Sequence, residues 1–282
     1  MIYADLHSHT AFSDGLLPIS EVLQLAKDKG IKTIAITDHD ITYHFEDVER
    51  AAKEIGISVI KGVEMSCYDF DEYKKVHILG LFLNENCPHV EMLCSRTLKG
   101  RNDYHKELIE ILNKQGYEIT FEDAQKFSRF SGVVFKMNLF QALKEKYPEE
   151  MTEARYKELF ASETSVETDY KMNYTPVKEG VAAIIKDGGI PILAHPCVYD
   201  NYDEIDKYAG YGLMGIEIDH SRMKAIDYEL TDQFAKKYNF IRSGGSDFHN
   251  PETIKFGING LTEIQFNELL ERVEAYKLSA LQ

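Results

Sequence analysis

Positive charge is scarce in this chain. Its 282 residues carry 32 Lys and Arg against 47 Asp and Glu, a formal net charge of −15. That balance argues against a broad surface for a nucleic-acid backbone, which would be basic. A small anionic substrate stays open, because bound divalent cations reverse the local field. Cysteine is also sparse: Cys67, Cys87, Cys94 and Cys197 show no CxxC spacing and no framework density, which argues for free thiols in a reducing compartment. No apolar run approaches the roughly 18 residues of a membrane span. The chain opens "MIYADLH" with no charged-then-apolar leader, so the expectation is a cytoplasmic protein with no membrane partner. No repeat or low-complexity segment divides it.

What is present is a βα rhythm. "MIYADL", "IKTIAIT", "ISVIKGVEMS" and "KVHILGLFL" read as strands, separated at first by the amphipathic stretches "PISEVLQLAKDKG" and "FEDVERAAKEIG". The first has Pro18 near its start and Gly30 as a stop; the second ends in Gly56. From about 89 to 175 the segments are charged and helical, with no convincing strand. The rhythm then returns, with strands in "IPILAHP", "LMGIEID" and "FIRSGGSDFH" and a final helix in "EIQFNELLERVEAYKLSA". Seven strand candidates in βα units imply a parallel sheet, open or closed into a barrel. The expected organisation is a discontinuous barrel of residues 1–88 and 176–282 around a helical insertion subdomain of residues 89–175.

Nearly every strand of that barrel carries residues that bind metals. These are His7 and His9, then Asp38, His39 and Asp40 in "TDHD", then Glu64, His77, His195, Glu217, and finally Asp247 and His249 in "GGSDFH". In parallel α/β folds the strand C-termini share one face, where active sites are built. Residues two apart on a strand point the same way, so His7 and His9 can grip one ion, and Asp247 and His249 repeat the arrangement. Mixed imidazole and carboxylate donors suit Zn²⁺, Mn²⁺ or Fe²⁺ rather than Ca²⁺, and the lack of cysteine in these motifs argues for catalysis over a structural zinc site. His44, His89 and His105 read as surface residues. Asp38 and Asp40 either orient His39 or cap the following helix, and Glu217 is either a ligand or a strand-edge carboxylate bonded to backbone or histidine. Cys197, two residues after His195, falls near the site with no need to be a ligand.

The motifs "DLHSHTAFSDG", "AITDHD", "GVEMS", "VHILG", "LAHP" and "GGSDFH" appear in the order of the PHP family, the phosphoesterases named for DNA polymerase and histidinol phosphatase, and the sequence resembles that family over residues 1 to about 84 and 176–250. The resemblance implies a distorted (β/α)₇ barrel with three divalent ions (Mn²⁺, Fe²⁺ or Zn²⁺) at the C-terminal rim. It implies that His7, His9, Glu64 and Asp247 hold the first ion. Glu64 would bridge to a second, held also by His77 and His195, and Asp14, His39 and His249 would hold the third. Asp14 replaces a histidine of some branches, and the "SDG" form is common in nucleotide-directed ones. The helical insertion after "HILG" resembles the branch that hydrolyses nucleoside 3′,5′-bisphosphates and trims short RNA 5′ ends. There Arg101 matches an arginine that contacts phosphate. The branch's later Gly-Arg-x-His stretch is missing: Val133 and Phe135 stand where Arg and His would be, with Lys136 or Arg129 as stand-ins.

The expected reaction is hydrolysis of a phosphate monoester, with hydroxide from a water between two ions attacking phosphorus. Glu64 would organise the ions and Arg101 would neutralise phosphoryl oxygens. His220, with Arg222 beside it in "EIDHSRM", would face the substrate from the rim or lie in a solvated turn. Tyr68, Tyr73, Tyr170, Tyr174, Tyr199 and Tyr202 offer candidate stacking surfaces for a base. The expected partner is a small phosphorylated nucleotide or short oligonucleotide. The rivals are a histidinol-phosphate phosphatase, a metal-dependent amidohydrolase, and a binding module that metals only stabilise.

Overall fold

The computed structural model describes residues 1–160 and 172–280. Its first half runs β1 (Ala4–Ser8), α1 (Ile19–Asp28), β2 (Thr33–Ile36), α2 (Phe45–Ile55), β3 (Ser58–Asp69) and β4 (Lys74–Leu81). Four helices follow: α3 (Pro88–Lys114), α4 (Phe121–Gln125), α5 (Lys136–Lys146) and α6 (Glu153–Phe160). Then come β5 (Thr175–Pro176), α7 (Val177–Lys186), β6 (Ile190–Leu193), α8 (Pro196–Tyr199), α9 (Ile205–Gly210), β7 (Gly215–Asp219), α10 (Ala225–Lys237), β8 (Ile241–Gly244) and α11 (Glu263–Ala280).

The strands form one sheet in the order β1-β2-β3-β4-β6-β7-β8, with the two-residue β5 paired to β3. The sheet nearly closes. Just past β8, Asp247 N donates to His7 O at 2.9 Å and His9 N donates to Phe248 O at 2.8 Å, so the last strand returns to the first. The mixed α/β barrel is therefore the architecture that the βα rhythm called for. The all-parallel sheet is not. β4 runs antiparallel to both β3 and β6, with Ser66 opposite His77 and Leu79 opposite Ile192. The cause is local: only four residues, 70–73, separate β3 from β4, too few for the crossover that a parallel strand needs. The reversal puts the beginning of β4 at the same rim as the ends of its neighbours, and His77 lies near that beginning.

Three apolar clusters support the rim. Ala4, Leu6, Ala35, Leu79, Leu81, Ile190, Ile192 and Ile241 fill the barrel, and Phe266, Leu269 and Val273 of α11 pack against them. Ile19, Val22, Leu23 and Ala26 seat α1 beside Val48 and Ala52 of α2, which the i, i+3, i+4 spacing anticipated. Met65, Val76, Leu93, Cys94, Val181, Ile184 and Ile216 join α3 and α7 to the outer face of the sheet. The inserted helices carry a cluster of their own, with Ile109, Leu112, Tyr117, Val134, Leu139, Leu143 and Phe160 among its members.

Candidate metal centre

The site is built on one buried carboxylate. Glu64, fully buried on β3, places Oε2 3.1 Å from each of His7 Nε2, His9 Nε2 and His39 Nδ1. Its Oε1 lies 2.7 Å from His77 Nδ1 and 2.8 Å from His195 Nε2. Asp247 Oδ1 faces His7 and His9 at 3.4 and 3.3 Å. Asp14 approaches His249 Nε2 at 3.2 Å and His39 Nε2 at 3.7 Å. All nine residues that the family resemblance marked as ligands thus converge, although they span most of the chain.

Their donor atoms fall into three overlapping groups, each drawn within 4.8 Å: His7, His9, Glu64 and Asp247; His39, Glu64 and His77; and His9, Asp14, His39 and His249. The first is the expected first set. In the others His9 and His39 are shared more widely than expected, while among the described residues His195 falls in none of the three groups and meets Glu64 Oε1 instead. Four buried atoms at the centre test the fit. Among the described residues, His7 Nε2, His9 Nε2, His39 Nδ1 and Glu64 Oε2 have no hydrogen-bond partner although they face one another. Unpaired buried polar atoms are costly, and lone pairs aimed at a common point suit a cation. The residues present fit divalent ions.

The charges agree. Burial opposes ionisation of Glu64, yet His39, His7 and His77 hold its carboxyl well below the usual range. Asp247 is lowered likewise, where His249 and His7 outweigh burial, and Asp14 where His249 and His39 do. The surrounding carboxylates overcome the burial of His9 and raise it to about 10, so without an ion that ring takes up a proton, which a bound cation would displace. Burial, the largest influence on His39, pushes it down to about 3.

Behind the centre stands a layer of buried partners that aim the rings. His7 Nδ1 lies 3.0 Å from Glu217 Oε1, and Glu217 Oε2 accepts from His195 N at 2.7 Å, so Glu217 is the carboxylate bonded to histidine and backbone. Ser13 Oγ sits 3.5 Å from His9 Nδ1 and donates to Asp38 at 2.5 Å. Asp38 also accepts from Thr10 N and Thr10 Oγ1, and pairs with His44 Nε2 at 2.9 Å. It therefore braces the loop that carries Asp14, and it neither orients His39 nor caps α2. The surface reading of His44 and His105 is overturned: both are fully buried, His44 on Asp38 and His105 against the Arg101 carbonyl. Their positions look exposed in sequence because their partners are remote or lie in the backbone. His89 stays half exposed, 2.6 Å from Asp187. Ser13 and Thr10 were missed in the sequence; their place inside "HSHTAFSDG" was the available signal.

His220 is buried, so the solvated-turn reading falls. Its Nδ1 accepts from Arg222 N at 3.2 Å, which puts the ring proton on Nε2, 3.2 Å from Asp247 Oδ2. Arg101, on α3, is buried beneath Phe135, whose ring centroid lies 4.6 Å from the guanidinium carbon. Its Nη2 donates to Asp40 at 3.2 Å and to Ser66 Oγ at 2.9 Å. Arg101 Nε is buried with no hydrogen-bond partner among the described residues. Phe135 in turn lies 6.4 Å from the His39 ring. Lys136 Nζ donates to Phe160 O and Arg129 is exposed. Tyr199 meets His77 and His195 edge-on, Tyr68 stacks on Tyr174, and Tyr202 donates to Asp227; Tyr170 lies outside the described residues. Cys197 is a half-buried thiol that burial pushes up to about 12, so it stays protonated.

Two glycines let the loops close. A Cβ on Gly245 would fall 2.5 Å from both Cβ and N of His7, and one on Gly15 would fall 2.7 Å from His9 O. Asp40, His195 and Asp247 have positive φ angles of 57°, 26° and 54°. Such backbone costs about 1–3 kcal/mol each and gathers at functional sites.

Residues 5–241 match the PHP domain. The chain belongs to the PHP family. The phosphoribosyl 1,2-cyclic phosphate 1,2-diphosphodiesterase of Eggerthella lenta is 34% identical over 90% of this chain and 95% of its own. A 5′-3′ exoribonuclease of Haemophilus influenzae is 27% identical (88% and 90% covered). The 3′,5′-nucleoside bisphosphate phosphatase of Chromobacterium violaceum is 25% identical (89% and 88%). A structure from Bifidobacterium adolescentis, assigned as a metal-dependent phosphoesterase, superposes with a TM-score of 0.83 at 24% identity over 96% of both chains, which establishes the shared fold. This PHP protein is accordingly a metal-dependent phosphoesterase, a hydrolase of phosphate esters. Among its described residues no helix is long and apolar enough to cross a membrane.

Proposed function

We propose that this PHP protein hydrolyses a phosphate ester on a small phosphorylated ribose, using Glu64 and the eight residues around it as ligands for three divalent ions, Mn²⁺, Fe²⁺ or Zn²⁺. The observation that carries this reading is the Glu64 cluster of unpaired donors with a buried guanidinium, Arg101, close by. When bound, the ions supply positive charge for the phosphoryl oxygens and lower the pKa of water.

The protein's own groups do the rest. Glu64 stays ionised and spans the ring of histidines, so one rigid strand sets their spacing. Arg101 is fixed by Asp40, Ser66 and Phe135, which leaves its remaining N–H donors for a phosphoryl oxygen without reorganisation. His220 acts on Asp247 and not on substrate, because its one ring proton is committed there. The insertion, residues 89–175, serves as a subdomain that brings Arg101 and Phe135 to the rim.

The ester we place first is the cyclic phosphate of a phosphoribosyl 1,2-cyclic phosphate, since the relative so named is 34% identical over 95% of its own length. One water adds across one P–O bond, leaving a monoester and a free hydroxyl. The second reading is the 3′-phosphate of a nucleoside 3′,5′-bisphosphate, with short RNA 5′ ends beside it, as the other two relatives suggest. Val133 and Phe135 weigh against it, being apolar where that branch holds phosphate with Arg and His.

The test is a panel of phosphoribosyl 1,2-cyclic phosphate, a nucleoside 3′,5′-bisphosphate, a 5′-phosphorylated oligoribonucleotide and histidinol phosphate, each with Mn²⁺ or chelator. Ring opening faster than phosphate release from the others supports the first reading. A preference for the bisphosphate moves the assignment to the second, and turnover of histidinol phosphate alone overturns both.

A further inference from the structure

The one-turn helix α8 has an unusual setting. His195 precedes it with φ 26° and Asp200 follows it with φ 54°, so a non-glycine residue in the left-handed region bounds each end. The turn is also pinned to the beginning of β4. Asn201 Nδ2 donates to Lys75 O at 3.0 Å, and Lys74 Nζ donates to Asp200 O at 2.9 Å. β4 is the strand that carries His77.

The consequence falls on Tyr199, the last residue of α8. Its ring meets His77 edge-on at 5.0 Å and His195 edge-on at 5.7 Å, covering both histidines that face Glu64 Oε1. Its hydroxyl lies 3.5 Å from His77 Nε2, while His77 Nδ1 lies 2.7 Å from Glu64. The two nitrogens of His77 therefore have opposite duties. If Nδ1 gives its lone pair to an ion, the ring proton must sit on Nε2, where it needs an acceptor. A phenol oxygen accepts there, and it donates to the same nitrogen when the ion leaves and the proton moves to Nδ1. A phenyl ring does neither.

We propose that Tyr199 is a positioning residue for His77: its hydroxyl holds the Nε2–H tautomer and so aims Nδ1 at the ion beside Glu64 Oε1. This rests on the metal reading above and adds a residue that the motifs do not include. Partners of this kind are worth about 10–100-fold in metal affinity.

The experiment is calorimetric titration of Mn²⁺ into metal-free wild type, Tyr199→Phe, His77→Ala and the double variant, with melting of the metal-free proteins alongside. Tyr199→Phe keeps the edge-on ring and removes only the hydroxyl. Expected are one class of Mn²⁺ site weakened about 10–100-fold, an unchanged metal-free Tm, and no further loss when Tyr199→Phe is added to His77→Ala. Wild-type affinity at every site in Tyr199→Phe overturns the proposal alone, as does a full additional loss in the His77→Ala background. Failure of wild type to bind Mn²⁺ overturns the metal reading, and this proposal with it.

Discussion

Asp38 is the residue on which the Asp14 loop depends. It is fully buried and takes bonds from the Thr10 backbone, two hydroxyls and His44. Asp38→Ala strips four groups of their acceptor at once, and breaking a buried charged network costs roughly 3–5 kcal/mol. A fall of that size in urea-unfolding stability, with weaker Mn²⁺ binding, is the expected result. His105 makes a different prediction. Burial lowers it to about 3 from an ordinary value of 6.5, so the folded state holds it neutral. The unfolded chain takes up that proton first as pH falls. Stability from this group is complete above 6.5 and declines toward 3 by ~1.4 kcal/mol per pH unit. His105→Gln should lack that part of the acid slope, read as the wild-type-minus-variant difference in unfolding free energy at pH 7, 6, 5 and 4. Neither role was legible in the sequence. "TYHFEDVER" and "NDYHKELIE" look like ordinary exposed surroundings for a histidine, and only the fold supplies a buried aspartate or carbonyl beside them. The candidate ligands were easier to read: most stand at or near strand ends in short motifs, and the family resemblance supplied their grouping and Asp14.

Elements explain why those motifs meet. Gly245 lets the end of β8 lie flat against β1, within 2.5 Å of where a side-chain carbon would strike His7. Gly245→Ala must therefore push the two strands apart beneath His7 and Asp247. The expectation is a loss of Mn²⁺ affinity together with about 1–3 kcal/mol of stability, as overpacking typically costs, checked by titration and urea unfolding. The helices α3 to α6 were readable as charged segments with no strand between them, and α1 from its apolar spacing. The direction of β4 was not, because "KVHILGLFL" is equally apolar read either way and only the short turn before it decides.

At the scale of the whole molecule, contacts join the helices after β4 to the barrel across the site, two of them close to Asp14 and Asp40. Arg101 joins Asp40, which is 1% exposed, and Phe130 stacks on Phe12 at 5.2 Å, two residues before Asp14. Arg101→Ala leaves Asp40 buried and uncompensated, so it should cost roughly 3–5 kcal/mol of stability and raise KM. Arg101→Lys restores the charge but not the fork under Phe135, and should recover stability more than KM. Steady-state kinetics beside urea unfolding separates the two effects.

The reversed strand also sets a length. Because β4 runs down, the chain leaves it at the foot of the barrel, where Val90 N donates to Asp187 just before β6. It must climb back before it can contribute to the rim, and α3 is the ladder. From Pro88 to Arg101 the helix rises about 20 Å at ~1.5 Å per residue, which brings the guanidinium level with Asp40. The early part of α3 thus works as a ruler, since removing one turn would drop Arg101 by about 5.4 Å, below the groups that hold it. This stretch of helix is fixed by the height of the wall it scales.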